Sequence, residues 1–228
     1  MKQWLYDIAG FFFPVYCPVC GDPLYVCGDV ICLRCELQMP HTGYTAVPDN
    51  PVAKLFWGRV VLEGATSLFR FEKGSKYQPL LHQLKYKGQR QIGHFLGQML
   101  GAALLGTPFA DADQLVPVPL HRKKEKTRGY NQSEVIAAGV SRVTGIPVNN
   151  SLLVRKSDTD SQTRKGRYER WENMEKVFQL AEGAEATTAN TLLLIDDVVT
   201  TGSTLEACAI ALNKLPDKSI YVATIACA

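Results

Sequence analysis

The chain has 228 residues, 46% of them hydrophobic and 21% charged, with a formal net charge of +3. That length accommodates one full α/β domain plus a small appendage, with a core large enough to need no disulfides. No stretch is long and apolar enough to span a bilayer, and so mild a charge does not by itself argue for a nucleic-acid partner.

The chain opens on Trp4, Leu5, Ile8, Phe11 and Phe12, read as a helix packed on the body. Asp7 interrupts the apolar run and no small-residue cleavage site follows, so export is not expected. A cytoplasmic chain would keep its seven cysteines as thiols or metal ligands. Cys17-Pro18-Val19-Cys20 and Cys32-Leu33-Arg34-Cys35, with a short hairpin expected between them, have the spacing of a four-cysteine zinc ribbon. Such a segment is too short for its own core, so structural Zn2+ would hold it together. Cys27 is off the pattern and is read as free. His41 is read as a solvated loop residue. The predicted organisation is residues 1–48, an N-terminal helix and ribbon, followed by residues 49–228.

Pro40 to Pro51 reads as a turn-rich connector. Val60 to Phe71 contains two strand-like pieces around Gly64. From Tyr77 to Leu105 apolar residues recur at helical spacing, and Gly88 splits the stretch into two helices. Lys85, Tyr86 and Lys87 precede that break. They are either a solvated helix end or a contact to phosphate or a base.

Gln114 to Leu120 predicts a short strand that Pro119 ends. Five of the eight residues from His121 to Arg128 are basic, and the spacing predicts a cationic loop there. Asn131 caps a helix running to Gly145. Leu152-Leu153-Val154 is a further strand. Arg155 to Arg170 is polar and charged with little apolar periodicity, which predicts a cationic flap that excludes water from the site.

The stretch Thr191 to Thr204 has an apolar run, then Asp196-Asp197, then Val198-Val199-Thr200-Thr201-Gly202-Ser203-Thr204. The run predicts a central strand buried on both faces. The acids then fall at its carboxyl end, where open α/β sheets bind ligands. A helix from Leu205 to Leu215 follows. Its start offers unpaired N–H groups and a partial positive charge to a phosphate. Gly202 permits close backbone approach, and Thr200, Thr201, Ser203 and Thr204 add hydroxyl donors. Asp196 and Asp197 suit a ribose diol or Mg2+. Ile220 to Ala226 is the last strand; Cys208 before it and Cys227 just after it are read as packing residues.

The stretch from Thr191 resembles the signature of type I phosphoribosyltransferases, which bind phosphoribosyl pyrophosphate (PRPP). The motif order along the chain is similar to that of the ComF family, also called competence protein F or GntX-like. The matches are the double C-x-x-C start, Leu84-Lys85-Tyr86 with Gly88, Val116 to Leu120, and Arg128-Gly129-Tyr130-Asn131-Gln132. They continue through Thr159, Gln162, Arg164, Arg170, Asn173 and Phe178 to Asp196-Asp197. The resemblance implies a zinc ribbon followed by a parallel sheet flanked by helices, with PRPP and Mg2+ as ligands. Asp196 and Asp197 would hold the ribose hydroxyls and Thr200, Thr201, Gly202, Ser203 and Thr204 the 5′-phosphate. Pro119, Leu120, His121, Arg122, Lys123 and Arg128, with Arg164 and Arg167 of the flap, would face pyrophosphate. It also implies a role in natural DNA uptake, with single-stranded DNA and other competence proteins as partners.

Two functions fit these residues. One is a phosphoribosyltransferase of unassigned acceptor, working by charge neutralisation and positioning. The other is a single-stranded-DNA-binding module, or a PRPP-sensing regulator, without turnover. There the basic loops would bind phosphates and Tyr86, Tyr130 and Tyr168 would stack on bases, with Lys85 as a further contact.

Overall fold

The computed structural model describes residues 15–24, 30–156 and 177–228. Val15–Tyr16 (β1) and Pro23–Leu24 (β2) pair antiparallel. The first cysteine knuckle forms the turn that joins them; residues 25–29, on which the hairpin expected between the two knuckles falls, lie outside the described residues. The second knuckle sits at the start of a short helix, Leu33–Leu37 (α1). Cys27 and the expected N-terminal helix lie outside the described residues.

The connector after the ribbon does more than link. The Arg70 N–H donates to the Pro40 carbonyl at 2.9 Å and the Thr42 N–H to the Leu68 carbonyl at 3.0 Å. Asn50, buried, caps the helix Pro51–Lys54 (α2) by accepting from the N–H groups of Val52 and Ala53. Its amide donates to the Ala65 carbonyl at 2.7 Å. The two strand pieces expected around Gly64 are in fact one, Gly64–Arg70 (β3). Val60 is instead tied into the turn after α2, its N–H donating to the Phe56 carbonyl at 3.2 Å.

Gly88, at φ +68°, divides the next stretch as expected into Gln78–Tyr86 (α3) and Arg90–Leu104 (α4). The strand Gln114–Pro117 (β4) follows. The expected cationic loop is instead a helix, Arg122–Arg128 (α5). His121 caps it by accepting the Lys123 N–H at 3.1 Å, and Gly129 closes it in the left-handed region. Arg, Lys and Glu are good helix formers, and those two caps suffice to start and stop a helix of about two turns. Asn131 caps Gln132–Thr144 (α6), as expected, by accepting the Ser133 N–H.

Leu153–Arg155 (β5) and Phe178–Leu180 (β6) form a separate antiparallel pair. The expected flap lies outside the described residues beyond Lys156. Thr191–Val199 (β7), Ser203–Leu212 (α7) and Ser219–Cys227 (β8) complete the order. Cys227 therefore ends the last strand; it does not follow it.

The main sheet has the order β3-β8-β7-β4, and every neighbouring pair is parallel. This is the α/β class expected, a parallel sheet flanked by helices. Two buried clusters cover its two faces. One gathers α3, α4 and α6 with the ribbon residues Cys17, Val19, Ile31 and Cys35. The other gathers α2, α7 and the β5–β6 pair. In β7, Leu193 and Ile195 enter the first cluster and Leu192 and Leu194 the second. All four are fully buried, each stabilising the strand by about 1.5–3 kcal/mol. That is why a continuous apolar run, not an alternating one, precedes the acids. On one face α4 and α6 meet at glycines: a Cβ on Gly97 would stand 2.2 Å from the Ile136 carbonyl oxygen. Among the described residues, no helix is long and apolar enough to cross a membrane.

Candidate functional site

Because the sheet is parallel, β4 and β7 deliver their carboxyl ends to one edge. Pro117 pairs with Ile195, and the Val118 N–H donates to the Ile195 carbonyl at 3.0 Å. The acids therefore emerge beside the turn 118–121. Pro119, Leu120 and His121 are half-buried there, while Arg122, Lys123, Lys124 and Lys126 of α5 are exposed.

Asp196 Oδ1 accepts from the Ser133 hydroxyl at 2.9 Å and from the Asp197 N–H at 2.8 Å. Burial, and then the neighbouring Asp197 charge, push its carboxyl up to about 7. Ser133 and the Lys85 ammonium pull in the other direction. Asp197 Oδ2 lies 3.0 Å from Lys85 Nζ. The Leu84-Lys85-Tyr86 stretch, which the sequence left open between a solvated end and a ligand contact, thus touches the site. Lys85 is drawn onto an acid of β7, and exposed Tyr86 carries the Arg128 guanidinium 5.1 Å from its ring centroid. Arg128 also donates to Gln132 Oε1 at 2.7 Å.

Tyr130 is placed differently from Tyr86. It is 7% exposed, its hydroxyl donates to the Leu84 carbonyl, and Arg90 stacks 5.0 Å from its centroid. A ring so enclosed offers no face to a base; it fixes α3 against the start of α6 and so aims Lys85. Arg164, Arg167 and Tyr168 lie outside the described residues.

Beyond the acids the chain turns through Thr200 and Thr201 to Gly202 at φ +77°, a conformation that disfavours any side chain. Gly202 sits close against the Phe56 ring, and a Cβ there would stand 3.0 Å from Phe56 Cε1. The Thr201 and Ser203 hydroxyls are 3.0 Å apart, and Thr204 is exposed. α7 begins at Ser203, so its first amide groups and dipole face the same turn.

Several residues that build the site are not legible as site residues. Ser133 is one, although its place just after the Asn131 cap, at the carboxyl edge, is a usable signal. Arg59 is another. It donates to the carbonyls of Leu55 and Thr201 at 2.9 and 3.0 Å and pairs with buried Glu206. It clamps the turn 200–204 from behind, and no motif marks it.

The four ribbon sulfurs of Cys17, Cys20, Cys32 and Cys35 all lie within 4.8 Å of one another. A tetrahedral thiolate site with metal–sulfur bonds of about 2.3 Å needs sulfurs roughly 3.8 Å apart, and Cys20 and Cys32 are at 3.6 Å. Burial works against ionising Cys17, but N–H groups of Cys32, Cys20 and Val19 bring its thiol down to about 7. The cluster could therefore hold a metal ion and fits structural zinc. His41 is exposed and stands outside it.

No family model matches the chain. Competence protein F of Haemophilus influenzae is 26% identical over 221 residues, 92% of this chain and 96% of that protein. DNA utilization protein YhgH of Escherichia coli is 28% identical over 193 residues, 83% of this chain and 74% of that protein. Competence protein ComFC of Bacillus subtilis is 26% identical over 193 residues, 83% of this chain and 68% of that protein.

Proposed function

The chain belongs to the ComF family, and from that footing we propose that it is a PRPP-binding phosphoribosyltransferase-like protein acting in the uptake and use of DNA. The observation that carries the reading is a juxtaposition. Two adjacent carboxylates lie near the carboxyl end of the central strand, and just beyond that strand a hydroxyl-rich turn with glycine at φ +77° opens a helix.

The amides and hydroxyls of residues 200–204 hold the 5′-phosphate, and Asp196 and Asp197 hold the ribose diol. Bound Mg2+ neutralises pyrophosphate charge, and the oxygen-donor chemistry of the two acids suits that ion. Ser133 fixes the Asp196 carboxylate by a hydrogen bond, and Lys85 holds Asp197 until ligand arrives. The turn 118–122 and the cations of α5 face the leaving pyrophosphate. An acceptor then displaces pyrophosphate from C1 without a protein nucleophile, catalysis resting on position and charge. Residues 1–48 form a zinc-stabilised module carried by a body of residues 49–228.

Calorimetric titration with PRPP and magnesium tests this. The parent is expected to bind saturably, and Asp196→Asn and Asp197→Asn to bind much more weakly. No heat with the parent, or equal heat with both variants, removes the reading.

One observation favours a second role on the same edge. Arg122, Lys123, Lys124 and Lys126 project from α5 with no carboxylate partner among the described residues, and Tyr86 is 63% exposed beside them. Cations interleaved with an exposed aromatic suit single-stranded nucleic acid. Binding of an oligothymidylate should weaken steeply with salt, and the slope should fall in a Lys123→Ala/Lys124→Ala variant. An unchanged slope argues against that role.

A further inference from the structure

A cavity of about 460 Å³ lies where the ribbon meets the body, away from the acids and the phosphate turn. Gln38 and Pro40 line it from the ribbon side, and His41, Arg70, Ser75 and Lys76 carry its donors. Its floor is Tyr77, which is buried and donates through its hydroxyl to the Cys35 carbonyl at 2.8 Å. The junction is fixed in place. Residues 40–42 add to the outer edge of β3 through the Pro40 and Thr42 hydrogen bonds already described, and His41 bridges Phe69 antiparallel.

Three facts indicate what the cavity takes. Arg70, Lys76 and the His41 imidazole bring cationic or donor groups from three separate stretches of chain. The Ser75 hydroxyl is shielded from solvent yet has no hydrogen-bond partner among the described residues, and a buried hydroxyl left unmatched costs about 1–3 kcal/mol. The other polar ends are held nearby but not consumed. Arg70 donates to the Tyr44 hydroxyl at 3.1 Å and Lys76 to Gln38 Oε1 at 2.6 Å, leaving each cation further donors. One acid, Glu72, shares the rim. It opposes any anion in the cavity, which the Arg70 and Lys76 charges outnumber, and can accept from a hydroxyl or amine of the same ligand.

We propose that this junction cavity is a second anion site, which takes a single phosphate group on a nucleotide-sized ligand. The volume falls within the range of about 300–1,000 Å³ usual for small-molecule sites. The position adds a consequence. Arg70 pairs with Cys227, which pairs with Val199. Arg70 is thus level with the end of β7 and two strand spacings from it, roughly 10 Å. Arg70 therefore stands at the same carboxyl edge of the sheet as the acid pair, so a phosphate held beside it could anchor a ligand whose other end reaches that pair. The Arg70, Lys76 and Ser75 contacts do not depend on PRPP binding, so the site stands or falls separately from the function proposed above.

The test uses the full chain, with amide chemical shifts followed by NMR. The probes are inorganic phosphate, thymidine 5′-monophosphate, thymidine, and a four-nucleotide oligothymidylate with a 5′-hydroxyl. Inorganic phosphate and the monophosphate are expected to shift the amides of Gln38, Arg70, Ser75 and Lys76, and thymidine to leave them still. A response to the oligonucleotide as well would assign the ligand to a phosphodiester strand; without it, to a free nucleotide. Arg70→Gln/Lys76→Gln should weaken the monophosphate at least about tenfold, with PRPP affinity unchanged. Lys76→Gln alone, an exposed change that leaves the β3 edge intact, should weaken it measurably. Shifts confined to residues 200–204 and α5, or double-variant affinity within twofold of the parent, would overturn the proposal.

Discussion

Replacing Gly202 by alanine probes the turn on which the phosphate reading rests. Two costs can be worked out separately. Gly202 sits at φ +77°, and a Cβ in the left-handed region costs about 1–2 kcal/mol. The same Cβ would stand 3.0 Å from Phe56 Cε1 and 3.2 Å from Cζ. Phe56 is 1% exposed and has nowhere to retreat, so overpacking adds about 1–3 kcal/mol. The sum of about 2–5 kcal/mol lowers Tm by about 4–20 °C in a chain of this size. Gly129→Ala is the matched control. Its φ is +79° with nothing within 4 Å of the new Cβ, so only the backbone cost of about 1–2 kcal/mol applies. Scanning calorimetry on both, with urea unfolding as a second measure, separates the contributions. Gly202→Ala proving no more harmful than Gly129→Ala would refute the reasoning about Phe56.

Gly97→Ala forces its Cβ against the backbone at Ile136, where no side chain can yield; α4 and α6 must separate, and yield of folded protein should collapse, whereas normal Tm would contradict the close approach. Arg59→Met leaves Glu206, 4% exposed, without its cation, which should cost about 1–3 kcal/mol because Arg59 itself is partly solvated; Arg59→Met/Glu206→Gln should recover most of that in urea melts, and no recovery would show that the pair is not the cause. Asp196, held up to about 7 against an ordinary value of 3.8, keeps a proton in the folded chain that the unfolded chain has already lost. Its stabilising contribution is complete below the lower value and disappears as pH rises through the higher one. Asp196→Asn should therefore flatten the fall in stability over that window and raise Tm above pH 7, and a variant with the parent's pH profile would contradict the assignment. A strong zinc chelator should strip the four thiolates and loosen the ribbon first, read as lost zinc by elemental analysis and new dye binding at the β3 edge; an unchanged protein after metal loss would show that the ribbon holds without it.

The sequence made some of this legible and hid the rest for physical reasons. β7 was readable because both faces of the strand are covered, which forces a continuous apolar run from Leu192 to Ile195. The acid pair and turn were readable because their order along the chain is their order in space. The run His121 to Arg128 misled because a helix with no buried residue leaves no apolar period; only its caps at His121 and Gly129 reveal it. Tyr130 shows the limit of reading side chains one at a time, since it is buried and its hydroxyl is held by the carbonyl of Leu84, 46 positions away in the chain. The Arg59–Glu206 pair spans 147 positions, and only the folded sheet brings its members together. The pairing of residues 40–42 with β3 was hidden for the opposite reason: prolines and polar residues look like a linker, yet an edge strand needs only a few backbone groups facing it.

The central claim is that the acid pair and the turn after it grip the two ends of a phosphorylated pentose. A crystal structure with magnesium and a non-hydrolysable PRPP analogue tests it most directly. The account predicts the 5′-phosphate on the amides of residues 201–204, the ribose diol on Asp196 and Asp197, and Lys85 displaced from Asp197. Analogue bound elsewhere at saturation, with the Lys85–Asp197 pair intact, would contradict it.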